Sequence, residues 1–481
     1  MQAISLVPRL LPVSFVLGLA VCVGAGEMPK KLSPEFHKSR LEKLYQCCSD
    51  GLILLRGEPS WFRKRELNQF DPSYLDTNFK QERNLNYLTG IEVPDSFVLV
   101  DPKKKEVRLY TDWNDKTDLD KVKQLVYVSG PFPAAQFMHD VLTRSSAYEN
   151  LYVLYVPILE AGDLHGKTAA LTGIFPPGMS EPLTDEMQFA RQLSDIFPSH
   201  RIKSVVPALT EMQKIKHPEE IRLLRVANQI SARAVVEAIK ALRPGLYDHD
   251  IQAVIDYAFD RGGGVNATFA NNVMSGPNMF SRLLPLWSDY YHRDRQLQAG
   301  EAAFIDIGTE VGYYVADIGR TAPVTGKFTP EQRKLYDIYL PCFLKAEHAI
   351  RPGVTQHDLV RVTSTCAQAQ LPSLEGLYRK AVEQWIEALS QSPVLGHYQD
   401  MNVLGVGASP DEPLQAGMVF AIEPVLYSPD LNFAVFVEDV VVVTENSYEV
   451  LSTGMPYTAE EVEAIMAQPS IIEAEEGRPR R

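Results

Sequence analysis

The fold turns on the stretch Ala303-Phe-Ile-Asp306-Ile-Gly-Thr-Glu-Val-Gly-Tyr-Tyr-Val-Ala-Asp317-Ile-Gly-Arg320. Two apolar runs flank a central Gly-Tyr, which reads as a β-hairpin. Centred on Val311-Gly312, that hairpin sets Asp306 across from Asp317, and opposed residues of antiparallel strands share one face. A second segment repeats the arrangement. Val419-Phe-Ala-Ile-Glu423-Pro424 and Phe436-Val-Glu438-Asp439-Val-Val-Val-Val443 are joined through Ser428-Pro-Asp-Leu-Asn432. Centred on Asp430-Leu431, this hairpin places Glu423 across from Glu438.

A strand carboxylate ordinarily faces solvent. Four of them, as two opposed pairs inside strands apolar on both sides, need protons, cationic partners or metal. We read metal. His397, in Leu395-Gly-His-Tyr398, lies between the pairs and offers one nitrogen to the set Asp306, Asp317, Glu423 and Glu438. Oxygen-rich ligation with one imidazole suits two divalent ions, Mn²⁺ first, with Zn²⁺ or Co²⁺ as alternatives. Two such ions bridged by carboxylates would acidify a shared water and clamp a tetrahedral intermediate, so metal-assisted hydrolysis is the expected chemistry.

Upstream of each hairpin lies a copy of a short repeat. Arg243-Pro-Gly-Leu-Tyr-Asp-His-Asp-Ile251 matches Arg351-Pro-Gly-Val-Thr-Gln-His-Asp-Leu359, and each copy follows an amphipathic helix. Pro-Gly ends one helix and the Asp-containing turn starts the next. The sequence thus predicts a duplicated domain from 208 to 466, its first helix opening at Pro218. Residues 30–205 alternate strands and helices, with Ser96–Val100 and Glu106–Tyr110 as a hairpin and Leu151–Tyr155 as a further strand. The boundary is placed near Pro207, and residues 467–481 form a polar tail.

The 481 residues carry 61 acidic against 47 basic side chains, a formal charge of -14, which argues against a protein that holds nucleic acid by neutralising phosphates. Small-molecule or peptide chemistry is favoured. Residues 1–25 hold one charge, Arg9, then an apolar run and small residues, a pattern expected of a cleaved secretory signal and hence of a secreted or periplasmic protein. Membrane attachment is expected only if that segment stays uncleaved. Cys342 and Cys366 are open to a bridge or to two buried thiols, and the neighbours Cys47 and Cys48 do not bridge each other.

These segments together resemble the pita-bread metallopeptidases. The resemblance rests on Phe304–Gly308, Asp317-Ile-Gly-Arg-Thr-Ala-Pro-Val324, Leu395-Gly-His397, Gly417–Pro424 and Val437-Glu438-Asp439. Phe79-Lys-Gln81 and Tyr87-Leu-Thr-Gly90 resemble the creatinase-like N-terminal domain of the aminopeptidase P and prolidase branch. The resemblance implies an α+β fold, a creatinase-like N-terminal αβ domain followed by a pita-bread catalytic domain with pseudo-twofold duplication. It implies that Asp306 and Asp317 hold one metal and that Asp317, His397, Glu423 and Glu438 hold the other, with Asp317 and Glu438 bridging. Glu423 becomes the proton shuttle between a metal-bridging hydroxide and the leaving nitrogen. The implied activity is release of the residue before proline from peptides, with an Xaa-Pro dipeptidase or a non-catalytic peptide- or partner-binding descendant as alternatives. A homo-oligomer is also implied.

Some positions depart from the pattern. Leu404 and Pro393 stand where the branch usually has histidines, Phe436 where it has an arginine, and Asp289 or Tyr290 near a further histidine that His292 could replace. The metal set is whole while its polar surroundings are thinned, so strictness for proline is in question. His249, His357, Gly262–Gly264 and the tyrosines Tyr290, Tyr291, Tyr313 and Tyr314 are read as structural. Arg320 is expected to balance the acidic cluster or to pair at the surface.

Overall fold

A computed structural model describes residues 30–60, 79–155, 185–267, 269, 272–280, 295–403, 405, 407 and 409–471. The leader 1–25, Asp289, Tyr290, Tyr291, His292 and Leu404 lie outside the described residues, as does the tail beyond 471.

The N-terminal half is built on a mixed six-stranded sheet. Its strands are β1 (Gly51–Arg56), β2 (Ser96–Asp101), β3 (Glu106–Thr111), β4 (Val128–Phe132), β5 (Asn150–Val153) and β6 (Arg201–Ser204), ordered β4-β3-β2-β1-β5-β6. The unbroken apolar run of β1 follows from burial on both faces. Leu52 and Leu54 point into a core with Phe137 and Val141, while Ile53 and Leu55 join the core that continues into the C-terminal half. Around the sheet lie α1 (Pro34–Cys47), α2 (Arg83–Thr89), α3 (Lys116–Lys123), α4 (Gln136–Ser145) and α5 (Asp185–Ile196). Pro207, at the expected boundary, sits in the first turn of α6 (Val206–Lys214), and the described residues from Lys31 onward pack as one compact unit.

The C-terminal half pairs helices as the repeat predicts. α7 (Pro218–Ala241) packs on α8 (Asp248–Gly262), and α9 (Pro330–His348) on α10 (Gln356–Gln370). Asp250 accepts a hydrogen bond from the Tyr247 N–H at 2.8 Å and Asp358 one from the Thr355 N–H at 3.0 Å, so matching aspartates cap matching helices. A disulfide joins Cys342 to Cys366, linking α9 to α10. α11 (Gly376–Gln391) and α12 (Ala459–Met466) complete the described α-helices.

The strands here are β7 (Val265–Ala267), β8 (Asn272–Ser275), β9 (Ala302–Ile307), β10 (Thr309–Val311), β11 (Tyr314–Val315), β12 (Ile318–Pro323), β13 (Val419–Ile422), β14 (Val425–Ser428), β15 (Phe433–Val443) and β16 (Tyr448–Val450). β13-β15-β12-β9-β8 form the main sheet, with β14 and β16 also on β15, and β11-β10-β7 make a smaller one. The second hairpin has the expected register: Ile422 faces Asp439 and Val425 faces Phe436, which sets Glu423 across from Glu438. The first hairpin is corrected. Its turn is Gly312-Tyr313, both with positive φ, and Asp306 pairs with Gly319 rather than Asp317. Moving the turn centre by one residue moves the partner by two, which keeps Asp306 and Asp317 on one face.

Candidate active site

A row of residues crosses the main sheet. Asn272 pairs with Asp306, Asp306 with Gly319, and Gly319 with Glu438. Asp317, two residues before Gly319, projects from the same face. Gly319 is required by space. A Cβ there would lie 2.1 Å from a Phe436 ring carbon and 2.5 Å from the Ile305 carbonyl oxygen. Asp306 accepts a hydrogen bond from the Asn272 amide at 3.1 Å, a partner with no sequence signal beyond the register itself.

His397 arrives from outside β13. The Glu423 N–H donates to the Leu395 carbonyl at 2.8 Å, Ala421 to His397 at 2.9 Å and Gln399 to Val419 at 3.0 Å, so residues 395–399 run antiparallel beside β13. The His397 Nε2 thereby lies 3.1 Å from the Asp317 carboxylate and 3.7 Å from that of Glu423. Its Nδ1 is 3.2 Å from the Tyr398 carbonyl, an acceptor, which aims Nε2 at the acids. Asp317, His397 and Glu438 each offer an atom within 4.8 Å of the other two. All three are buried, as is Asp306. The Glu423 side chain is 20% exposed and opens onto a cavity of about 400 Å³ lined by Trp385, Leu389, Val394, Val425 and Tyr427.

Burial alone would lower the His397 pKa, but hydrogen bonding and charge from Asp317, with Glu423 behind it, lift it to about 9. The pocket therefore favours positive charge. Carboxylates held together out of water, with one imidazole aimed among them, are a donor set that fits divalent cations better than it fits a protein core.

Arg320 is corrected. It is fully buried on the opposite face of β12, its side chain pairing with Asp439, and it meets the acidic cluster only through the main-chain carbonyl of Glu438. Three residues from Asp317 is an odd step along a strand, which reverses the face. Phe436 is also fully buried and stacks on Phe304 with centroids 4.1 Å apart. Pro393 lines a neighbouring groove with His357 and Arg361. His357 bonds to Asp411 and His249 stacks on Tyr247, both outside the site. Tyr314 is buried and donates to Glu220, and Gly263 ends α8 with positive φ, so both keep a structural role.

Residues 222–445 match the model of metallopeptidase family M24. The Xaa-Pro aminopeptidase of Haemophilus influenzae is 30% identical over 467 residues, covering 91% of this chain and 98% of that protein. The Xaa-Pro aminopeptidase of Escherichia coli is 31% identical over 277 residues, covering 54% of this chain and 61% of that protein. Among solved structures, Escherichia coli aminopeptidase P in complex with substrate aligns with a TM-score of 0.69 at 23% identity, covering 91% of this chain and 98% of that one. Pseudomonas aeruginosa aminopeptidase PepP gives 0.68 at 24%, again over 91% and 98%. The α+β architecture, an N-terminal αβ half followed by a pita-bread half, is thus the one the resemblance implied. The chain belongs to metallopeptidase family M24, as a metalloaminopeptidase with the aminopeptidase P fold.

Proposed function

We propose that the chain is an exported exopeptidase holding two divalent ions, Mn²⁺ first, and that it releases the residue preceding proline at the N-terminus of peptides. The carrying observation is the meeting of Asp317, His397 and Glu438 within 4.8 Å, with Glu423 beside His397 at the mouth of an apolar cavity. Asp306, Asp317, His397, Glu423 and Glu438 would hold the ions. When bound, the ions supply Lewis acidity that makes water a nucleophile at neutral pH. Glu423, the most exposed of the acids, accepts the proton of the attacking water and delivers it to the departing imino nitrogen. The apolar walls of Trp385, Leu389 and Val425 beside Glu423 suit a proline ring. The Cys342–Cys366 bridge supports export, since such bonds persist in oxidising compartments.

The test is release of the first residue from short peptides with proline, alanine or glycine second, by Mn²⁺-loaded protein and its Glu423→Gln variant. Glu423-dependent cleavage with proline preferred is expected. Cleavage of dipeptides alone would favour the dipeptidase. The burial of Phe436 against Phe304, where the branch has an arginine, favours a second reading, a peptide-binding descendant without turnover. Two bound ions without cleavage of any member would select it.

A further inference from the structure

The backbone ladder between the strands carrying Asp317 and Glu438 is very short. β12 and β15 pair only at Gly319–Glu438 and Arg320–Val437. Beyond that the Thr321 hydroxyl takes over, donating to the Ala434 carbonyl at 3.1 Å and accepting from the Phe436 N–H at 3.0 Å. Two ladder positions are a weak guarantee of register. On the buried reverse face, Arg320 supplies what the ladder lacks. Its Nε donates to the Pro456 carbonyl at 2.7 Å. Its Nη1 donates to the carbonyls of Gly319 at 2.8 Å and Glu438 at 2.7 Å. Its Nη2 reaches both Asp439 oxygens, at 3.1 and 3.2 Å. All three guanidinium nitrogens are thereby engaged. Asp439 is fixed in turn by the Ser452 hydroxyl at 2.6 Å, and the Tyr457 ring lies 5.1 Å from the guanidinium carbon.

We propose that Arg320, with Asp439, is a positioning residue of the metal centre. One guanidinium grips the main chain of a glycine on the Asp317 strand and of Glu438 itself, so the distance between Asp317 and Glu438 is set from behind the sheet. Lysine cannot reproduce this, because its three donors lack the planar fork that spans both carbonyls and the carboxylate. The inference rests on reading Asp317 and Glu438 as metal ligands.

The test compares full-length wild type with Arg320→Lys and Asp439→Asn, stripped with chelator and titrated with Mn²⁺ by calorimetry and with Co²⁺ by absorption spectroscopy. Arg40→Met, which breaks the buried Arg40–Glu220 pair 3.0 Å long elsewhere in the molecule, is the stability control. Arg320→Lys is expected to lose about 10- to 100-fold in affinity and to shift its Co²⁺ bands, as the loss of ligand-orienting groups does. Arg40→Met is expected to melt earlier with unchanged bands. Should Arg320→Lys fail to fold, Asp439→Asn carries the same expectation, since it frees the guanidinium from its charged anchor. A folded variant with wild-type affinity and bands would overturn this inference alone. Wild type that takes up no divalent ion would overturn the ligand reading beneath it.

Discussion

Gly319 and Glu438 face each other across adjacent strands, and the absent side chain of the first makes room for Phe436 above it. The acidic row of this protein is therefore built around a gap. Gly319→Ala would push a methyl into the Phe436 ring and the Ile305 carbonyl at once. Overpacking of this kind costs about 1–3 kcal/mol. Urea unfolding should show that loss, and Gly319→Ala with Phe436→Leu should recover part of it. An unchanged midpoint for Gly319→Ala would refute the close packing of this row.

Metal content should separate the acids. Asp317→Ala and Glu438→Ala each remove a proposed bridge and should leave neither ion tightly held, whereas Asp306→Ala should spare one. Elemental analysis after desalting reads this directly. Equal retention by all three variants would count against the bridging assignment.

Much of this was legible because strand periodicity is strict. The hairpin from Val419 to Val443 has the register its sequence implies, since Pro429–Leu431 and Asn432 leave one place to turn. The hairpin around Gly312 slipped by one residue because Tyr313 adopts φ 74°, which a bulky residue rarely does alone. Tertiary contacts hold it there. The Gln81 N–H donates to its hydroxyl at 3.2 Å, and that hydroxyl donates to Glu92 at 3.2 Å. No local pattern could announce partners some 220 residues away. Asp439 was overlooked for a related reason: next to Glu438 it reads as one more acid, until alternation turns it to the reverse face to meet Arg320.

Glu347 should make stability depend on pH. Burial, then repulsion from Asp439, raises its pKa from 4.5 to about 7, against the opposing pull of Arg320 and a hydrogen bond with Tyr448. The folded chain therefore keeps a proton that the unfolded chain releases. The contribution is complete below about pH 4.5, falls as pH rises, and is gone above about pH 7, an upper limit of about 3 kcal/mol. Glu347→Gln should melt higher than wild type at pH 8 and close to it at pH 4.5. A constant Tm difference across that range would contradict the assignment.

The disulfide closes a loop of 24 residues, for which chain entropy gives about 3.5 kcal/mol. The double variant Cys342→Ala/Cys366→Ala should lose a comparable amount, and reductant should destabilise wild type but leave the variant unmoved. Thiol titration of unfolded native protein should find Cys47 and Cys48 alone reactive among the described cysteines.

The contacts around Tyr313 also bear on how this enzyme could be divided. Lys80 pairs with Glu310, Arg83 bonds the Met401 carbonyl and the Asn402 side chain, and Gln81 and Glu92 hold Tyr313. One short stretch of the N-terminal half thus grasps both the turn of the Asp306 hairpin and the segment that leaves His397. A catalytic half expressed alone, or grafted behind a foreign partner, would keep every proposed ligand yet lose the hands that shape two of their loops. Heredity of the site thus runs through residues 80–92 as well as through the ligands, and the two halves are to be exchanged between relatives only together.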